Sequence, residues 1–93
     1  MKSYTVTVTV DSTADDADTT GRILDGLAGL SAAIGWGDDG RMDVTITVDA
    51  IDLAAAASQS ITAVTDAARA AAVRAEAMTT VEFDHRNEQP LVG

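Results

Sequence analysis

Tyr4-Thr5-Val6-Thr7-Val8-Thr9-Val10 alternates without a break. In an extended chain Tyr4, Val6, Val8 and Val10 point to one side and Thr5, Thr7 and Thr9 to the other, and all are good strand formers. That pattern predicts a strand with one buried face. Met42, Val44, Ile46 and Val48, set against Asp43, Thr45 and Thr47, repeat it in a strand expected from about Arg41 to Asp49. Two strands whose apolar sides need a common core decide the fold class, and the rest of the chain is placed around them.

Between them, Asp11-Ser12-Thr13-Ala14-Asp15-Asp16 offers a hydroxyl cap at Ser12 or Thr13 followed by acids that suit the positive end of a helix dipole. Ala17, Ile23, Leu24, Leu27 and Leu30 then recur with helical spacing and predict a helix to about Leu30. Gly21, Gly26 and Gly29 each lower helix propensity by about 1 kcal/mol relative to Ala. They are expected where another element packs closely or, for the last, where the helix ends; glycines on the solvent side with no role are the alternative. A short apolar run, Ala32 to Trp36, leads into Gly37-Asp38-Asp39-Gly40, the best hairpin signal in the chain.

Asp49 and Asp52 introduce an Ala-rich helix predicted to reach about Ala72, with Ala57, Ile61, Val64, Ala68 and Ala71 as its apolar stripe. Ala77 to Asp84 reads as the last strand, with Val81 and Phe83 opposed by Thr80, Glu82 and Asp84. The resulting order β, α, β, β, α, β is the α+β, ferredoxin-like arrangement: a four-stranded antiparallel sheet with two helices on one face and strand order 4-1-3-2. Residues 1–85 would form this single domain and 86–93 a tail or the start of a linker. Thr5, Thr7, Thr9, Thr45 and Thr47 would then cover the middle of the helix-free face, where cross-strand Thr pairs are favourable.

At 93 residues the chain has room for one core. Hydrophobic residues make up 46% but aromatic ones only 3% (Tyr4, Trp36 and Phe83), so the core must be built from Val, Ile, Leu and Ala. The formal charge of −9 repels phosphate backbones and anionic membrane surfaces, so direct nucleic-acid binding is not expected. Cysteine is absent, which removes thiolate catalysis, zinc–thiolate sites and iron–sulfur clusters. No apolar run is long enough to span a bilayer, and Met1-Lys2-Ser3-Tyr4 leads into strand-like alternation rather than a signal peptide, a pattern that points to the cytoplasm.

The chemistry-bearing residues form no recognisable catalytic set. His85 is the single histidine, and nothing around it resembles a triad or a nucleophile elbow; a solvated position at the end of the last strand is expected, and no catalytic residue or enzymatic activity. Asp11, Asp15, Asp16 and Asp18 lack EF-hand spacing and are read as helix N-terminal charges rather than metal ligands. Gly35, Gly37 and Gly40 form neither a dinucleotide fingerprint nor a P-loop, and no cofactor is expected. RNA recognition on this topology would need aromatics where the central strands carry threonine. Amino-acid-sensing ACT domains, heavy-metal-binding domains and acylphosphatases share the layout, but their defining glycine, CxxC or arginine cradle is missing, and topology alone does not carry function.

The candidate interface residues are Trp36, Thr5, Thr7, Thr45 and Thr47. Trp36 reads first as a partly buried cap over the core and second as an interface anchor. The Thr-rich face is expected to be wet, with an edge-sharing dimer as the alternative, because an open four-stranded sheet leaves two edges to manage.

Val81-Glu82-Phe83-Asp84 followed by Pro90-Leu91-Val92-Gly93, in a chain rich in Ala, Asp, Thr, Val and Arg, resembles the small N-terminal modules that precede helix-turn-helix domains in some actinobacterial proteins. The resemblance implies an N-terminal domain of a longer DNA-binding regulator, serving dimerisation, sensing or docking; it supplies no DNA-contacting residue here. A non-catalytic regulatory, dimerisation or protein-interaction module is therefore the expected function, with self-association or a protein partner. A free-standing small-ligand sensor is the alternative.

Overall fold

In the computed structural model, which describes residues 2–13 and 16–83, the two alternating strands lie side by side. β1 (Lys2–Val10) pairs antiparallel with β3 (Met42–Ala50) over its whole length, from Lys2 opposite Ala50 to Val10 opposite Met42. On its other side β1 pairs antiparallel with β4 (Ala72–Thr79), and β3 pairs with the short β2 (Ala33–Trp36). The order across the sheet is β2-β3-β1-β4. α1 (Ala17–Gly26) follows β1 and α2 (Leu53–Ala68) follows β3; a single helical turn, residues 80–83, follows β4.

The register stacks apolar on apolar. Val6 faces Ile46 and Val8 faces Val44, so one side of the central strand pair is a continuous apolar surface, and Val6, Val8, Val10, Met42, Val44 and Ile46 are fully buried. α2 lies across β1, β3 and β4 and packs on α1, and Ile23 and Leu27 join Ala56, Val64 and Ala68 in the same buried cluster. Each such side chain withdrawn from water contributes about 1.5–3 kcal/mol when it is as large as Val, Leu or Ile.

Both helices begin on aspartate caps. The Asp52 side chain accepts a hydrogen bond from the Ala55 backbone N–H at 2.8 Å, and α1 starts on Asp16, not on the predicted Ser12 or Thr13. Asp16 accepts from both the backbone N–H (2.9 Å) and the hydroxyl of Thr19. That hydroxyl first, and then the N–H, hold the Asp16 carboxyl below its ordinary value of 3.8. A lowered folded-state pKa means that this cap is at full strength above the unfolded-state value and is lost as the pH falls through the folded-state one.

Three predicted boundaries are corrected. α1 stops at Gly26 rather than near Leu30; Leu27 to Ser31 form turns, with Gly29 at φ +87°. The Leu30 carbonyl there accepts from Thr47 N–H at 2.8 Å, tying the connection to the outer edge of β3. α2 stops at Ala68 because Arg69 turns left-handed (φ 54°), a job usually given to glycine, and without a glycine the sequence carried no stop signal before Ala72. Its buried row is Ala56, Ser60, Val64 and Ala68; the predicted Ala57 and Ile61 flank it half-buried, and Ala71 lies beyond the helix. The last strand is consequently Ala72–Thr79 and not Ala77 to Asp84, and Val81 and Phe83 fall in the helical turn after it. Pairing to the otherwise open side of β1 overrides the helical preference of the alanines. Asp15, Asp84, His85 and the tail from 86 to 93 lie outside the described residues.

The glycines of α1 have separate roles. A Cβ at Gly26 would sit 3.2 Å from Cβ of Ala67, so Gly26 permits the close α1–α2 contact, whereas a Cβ at Gly21 would meet nothing within 4 Å. Gly21→Ala is expected to raise stability by about 0.5–1 kcal/mol. Gly26→Val is expected to lower it by roughly 1–3 kcal/mol. Thermal melts of the two variants should therefore move in opposite directions, by about 4–8 °C per kcal/mol for a domain of this size.

Ser60 is fully buried, and its hydroxyl makes no hydrogen bond among the described residues. Ser60→Ala removes that desolvated group and adds helix propensity, so chemical denaturation should report a gain on the order of 1 kcal/mol. A loss of stability instead would show that the hydroxyl has a partner in solution.

Candidate functional site

The side of the central strands away from the core is polar. Thr5, Thr7 and Thr9 of β1 lie opposite Thr47, Thr45 and Asp43 of β3, and on the other side opposite Met78, Glu76 and Arg74 of β4. The hydroxyls bond one another across the strands. Thr7 Oγ1 and Thr45 Oγ1 are 2.9 Å apart, and Thr9 donates to Asp43 Oδ1. Thr80, in the turn after β4, brings its Oγ1 within 2.7 Å of Ser3 Oγ and 3.2 Å of Thr5 Oγ1.

This face is drier than predicted. Thr5 is only 3% exposed and Thr9 7%, while Thr7, Thr45 and Thr47 are half-buried. The earlier end of β4 contributes: the turn at residues 80–83 seats Thr80 on Thr5, and Phe83 lines the same cleft as Thr7 and Thr9. A hydroxyl ladder satisfied within the sheet can be covered at little cost.

The five nominated interface residues do not form one site. Thr5, Thr7, Thr45 and Thr47 are together at the sheet centre. Trp36 ends β2 near the opposite edge and lies opposite the buried Met42, which places it on the other face from the threonines. It lies on the core face and is 44% exposed, a partly buried position.

Sequence reasoning missed the groups that complete the polar face. Arg74, Glu76 and Met78 join Thr7, Thr9, Asp43 and Phe83 around an open cleft of about 380 Å³. The cleft carries one cation, two carboxylates and two hydroxyls, with Met78 and Phe83 as apolar lining. The signal was present, since Arg74, Glu76 and Met78 alternate with Ala75 and Ala77, but a helix expected to about Ala72 and a strand expected from Ala77 left Arg74 and Glu76 in the connection between them.

The two sheet edges differ sharply. β2 is only four residues long, and beyond it the outer side of β3 is engaged by the Leu30 carbonyl. β4 offers eight residues of edge that pair with no further strand among the described residues, and Ala72 to Glu76 are exposed, with Val73 at 49%. Asp11 pairs with Arg41 at 3.6 Å, and Asp16 is a helix cap. Among the described residues no group of three or more His, Asp or Glu is placed to hold a metal ion, and no helix is long and apolar enough to cross a membrane.

These features define an acidic α+β domain with one polar, largely internally bonded sheet face and one long edge that no strand covers among the described residues. In comparisons with known proteins, no family model, no curated protein and no solved structure matches the chain.

Proposed function

We propose that this chain is a non-catalytic interaction module that joins protein chains by adding a strand to β4. The observation that carries the proposal is the edge itself: Arg74 to Thr79 in regular register, with alternate backbone donors and acceptors on the outer side, no proline, and no covering strand among the described residues. Natural proteins usually shorten, cover or bulge such an edge unless it is used. The β1–β4 ladder has its irregularity between Thr9 and Val10, at the end of the edge, which leaves Arg74 to Thr79 in regular register.

The fold proposed with this function is ferredoxin-like, with both helices on the buried face. It is supported by the element order and by the strand order β2-β3-β1-β4, which is 4-1-3-2 read from the other edge. The module would serve as the N-terminal dimerisation or docking part of a cytoplasmic regulator whose DNA-binding part follows it. A photo-crosslinking residue placed at Val73 should form covalent adducts with a protein chain in cells. Ala75→Lys, which sets a charge on the exposed edge, should abolish them while leaving the circular dichroism spectrum unchanged. No adduct at Val73 under any growth condition would overturn the reading.

A second reading follows from the cleft beside Arg74. A small zwitterionic molecule would find Arg74 for its anionic end, Asp43 or Glu76 for its cationic end, and Met78 and Phe83 for an apolar substituent. On this sensor reading, thermal-shift screening with small polar metabolites should find a compound that raises the melting temperature. At a hundred times its Kd such a ligand stabilises by about 2.7 kcal/mol. The effect should vanish in Arg74→Ala, and a screen in which no compound shifts the native protein would sink this second reading.

A further inference from the structure

The pattern of charge along β4 selects a partner and a register. On the strand-addition reading above, we infer that the chain added to β4 is β4 of a second copy, antiparallel, about a two-fold axis through Ala75. Directly opposed residues in an antiparallel pair share a face, so a joined sheet keeps both apolar layers on one side only when a residue pairs with one of its own parity. That restricts a symmetric pair to axes that pass through a residue.

Of the axes through Arg74, Ala75, Glu76 and Ala77, charge favours Ala75, because an axis at Ala77 opposes no like charges but sets Glu76 against Met78 and gains no ion pair. An axis at Arg74 sets Arg74 against Arg74, and one at Glu76 sets Glu76 against Glu76; like charges directly opposite are destabilising. An axis at Ala75 sets Arg74 against Glu76 of the second copy and, by symmetry, Glu76 against its Arg74. Ala75 then faces itself, and the bulge beyond Arg74 takes Val73 and Ala72 out of this register, so the pairing is short and rests on the two Arg–Glu oppositions. The bare side chain of Ala75 lets the axis close without a clash. The result is an eight-stranded sheet with a continuous apolar side and an isologous interface, the commonest symmetry among oligomers.

The net charge of −9 on each copy opposes this association at long range. At physiological salt the screening length is about 8 Å, so the opposed Arg–Glu contacts outweigh distant repulsion once the strands meet.

Charge reversal tests the register. The native chain should show a mass that rises with concentration towards twice 9.5 kDa in sedimentation equilibrium. Arg74→Glu creates two Glu–Glu oppositions and Glu76→Arg two Arg–Arg ones, so each variant alone should bind itself on the order of tenfold more weakly or worse. Mixing the two should restore association as a one-to-one heterodimer, because every opposed pair is then Arg with Glu. The double reversal should dimerise like the native chain. A variant that failed to fold could not give the heterodimer, and Arg74→Gln and Glu76→Gln, with weaker association and unchanged melting, provide a milder pair.

If the native chain dimerises but neither reversal changes it, the Ala75 register is wrong and strand addition stands. If the native chain stays at 9.5 kDa while Val73 cross-links to a different protein, the second copy is wrong and strand addition again stands. A monomer with no cross-link removes both.

Discussion

β1 has a hydrogen-bonded neighbour on each side, and everything else in the molecule follows from that position. A strand bonded on both flanks has no freedom of register: each residue is committed to one of two faces, and a slip of one place would turn Val6, Val8 and Val10 outward and Thr5, Thr7 and Thr9 into the core. β3 carries the same alternation in the complementary register, so each Val of β1 faces Val, Ile or Met and each Thr faces Thr or Asp along the pair. α2 covers the apolar side, and the polar side is left to bond itself.

The thinness of the core follows from its composition. With so few aromatics, α2 presents Ala56, Ser60, Val64 and Ala68 to the sheet, and α1 meets it at Gly26 against Ala67. Close approach substitutes for bulk: small side chains gain contact by bringing backbones together. Chemistry and recognition are thereby moved to the surface. The Thr ladder, with Thr80 seated on Thr5, is mostly bonded within the sheet, and Ala72 to Glu76 of β4 are the exposed part of this side of the molecule.

The asymmetry of the two edges is equally physical. The hairpin at residues 37–40, with Gly40 at φ +80°, returns the chain after only four residues of β2, and the Leu30 carbonyl then occupies the next donor on β3. Along β4 the described residues show a bulge only at its N-terminal end, beside Val73. Its alanines make it a weak strand by propensity, and it depends on β1 for its conformation.

Alternation in Tyr4–Val10 and Met42–Val48 was enough to name two half-buried strands, the side each would bury and the class of fold, because a period of two is a property of the extended backbone alone. The Gly37–Gly40 turn and the Asp52 cap were legible for the same reason: their signals act over three or four residues. The end of α2, the start of β4 and the phase of the buried helix row were not, since alanine is compatible with helix and strand and only pairing with β1 separates them. Arg74, Glu76 and Phe83 entered the cleft through that same displaced boundary. Local backbone preference determined what each segment could become; which segment covered the open side of β1, and hence which charges stand on the exposed edge, was decided by contacts between residues some seventy positions apart in the chain.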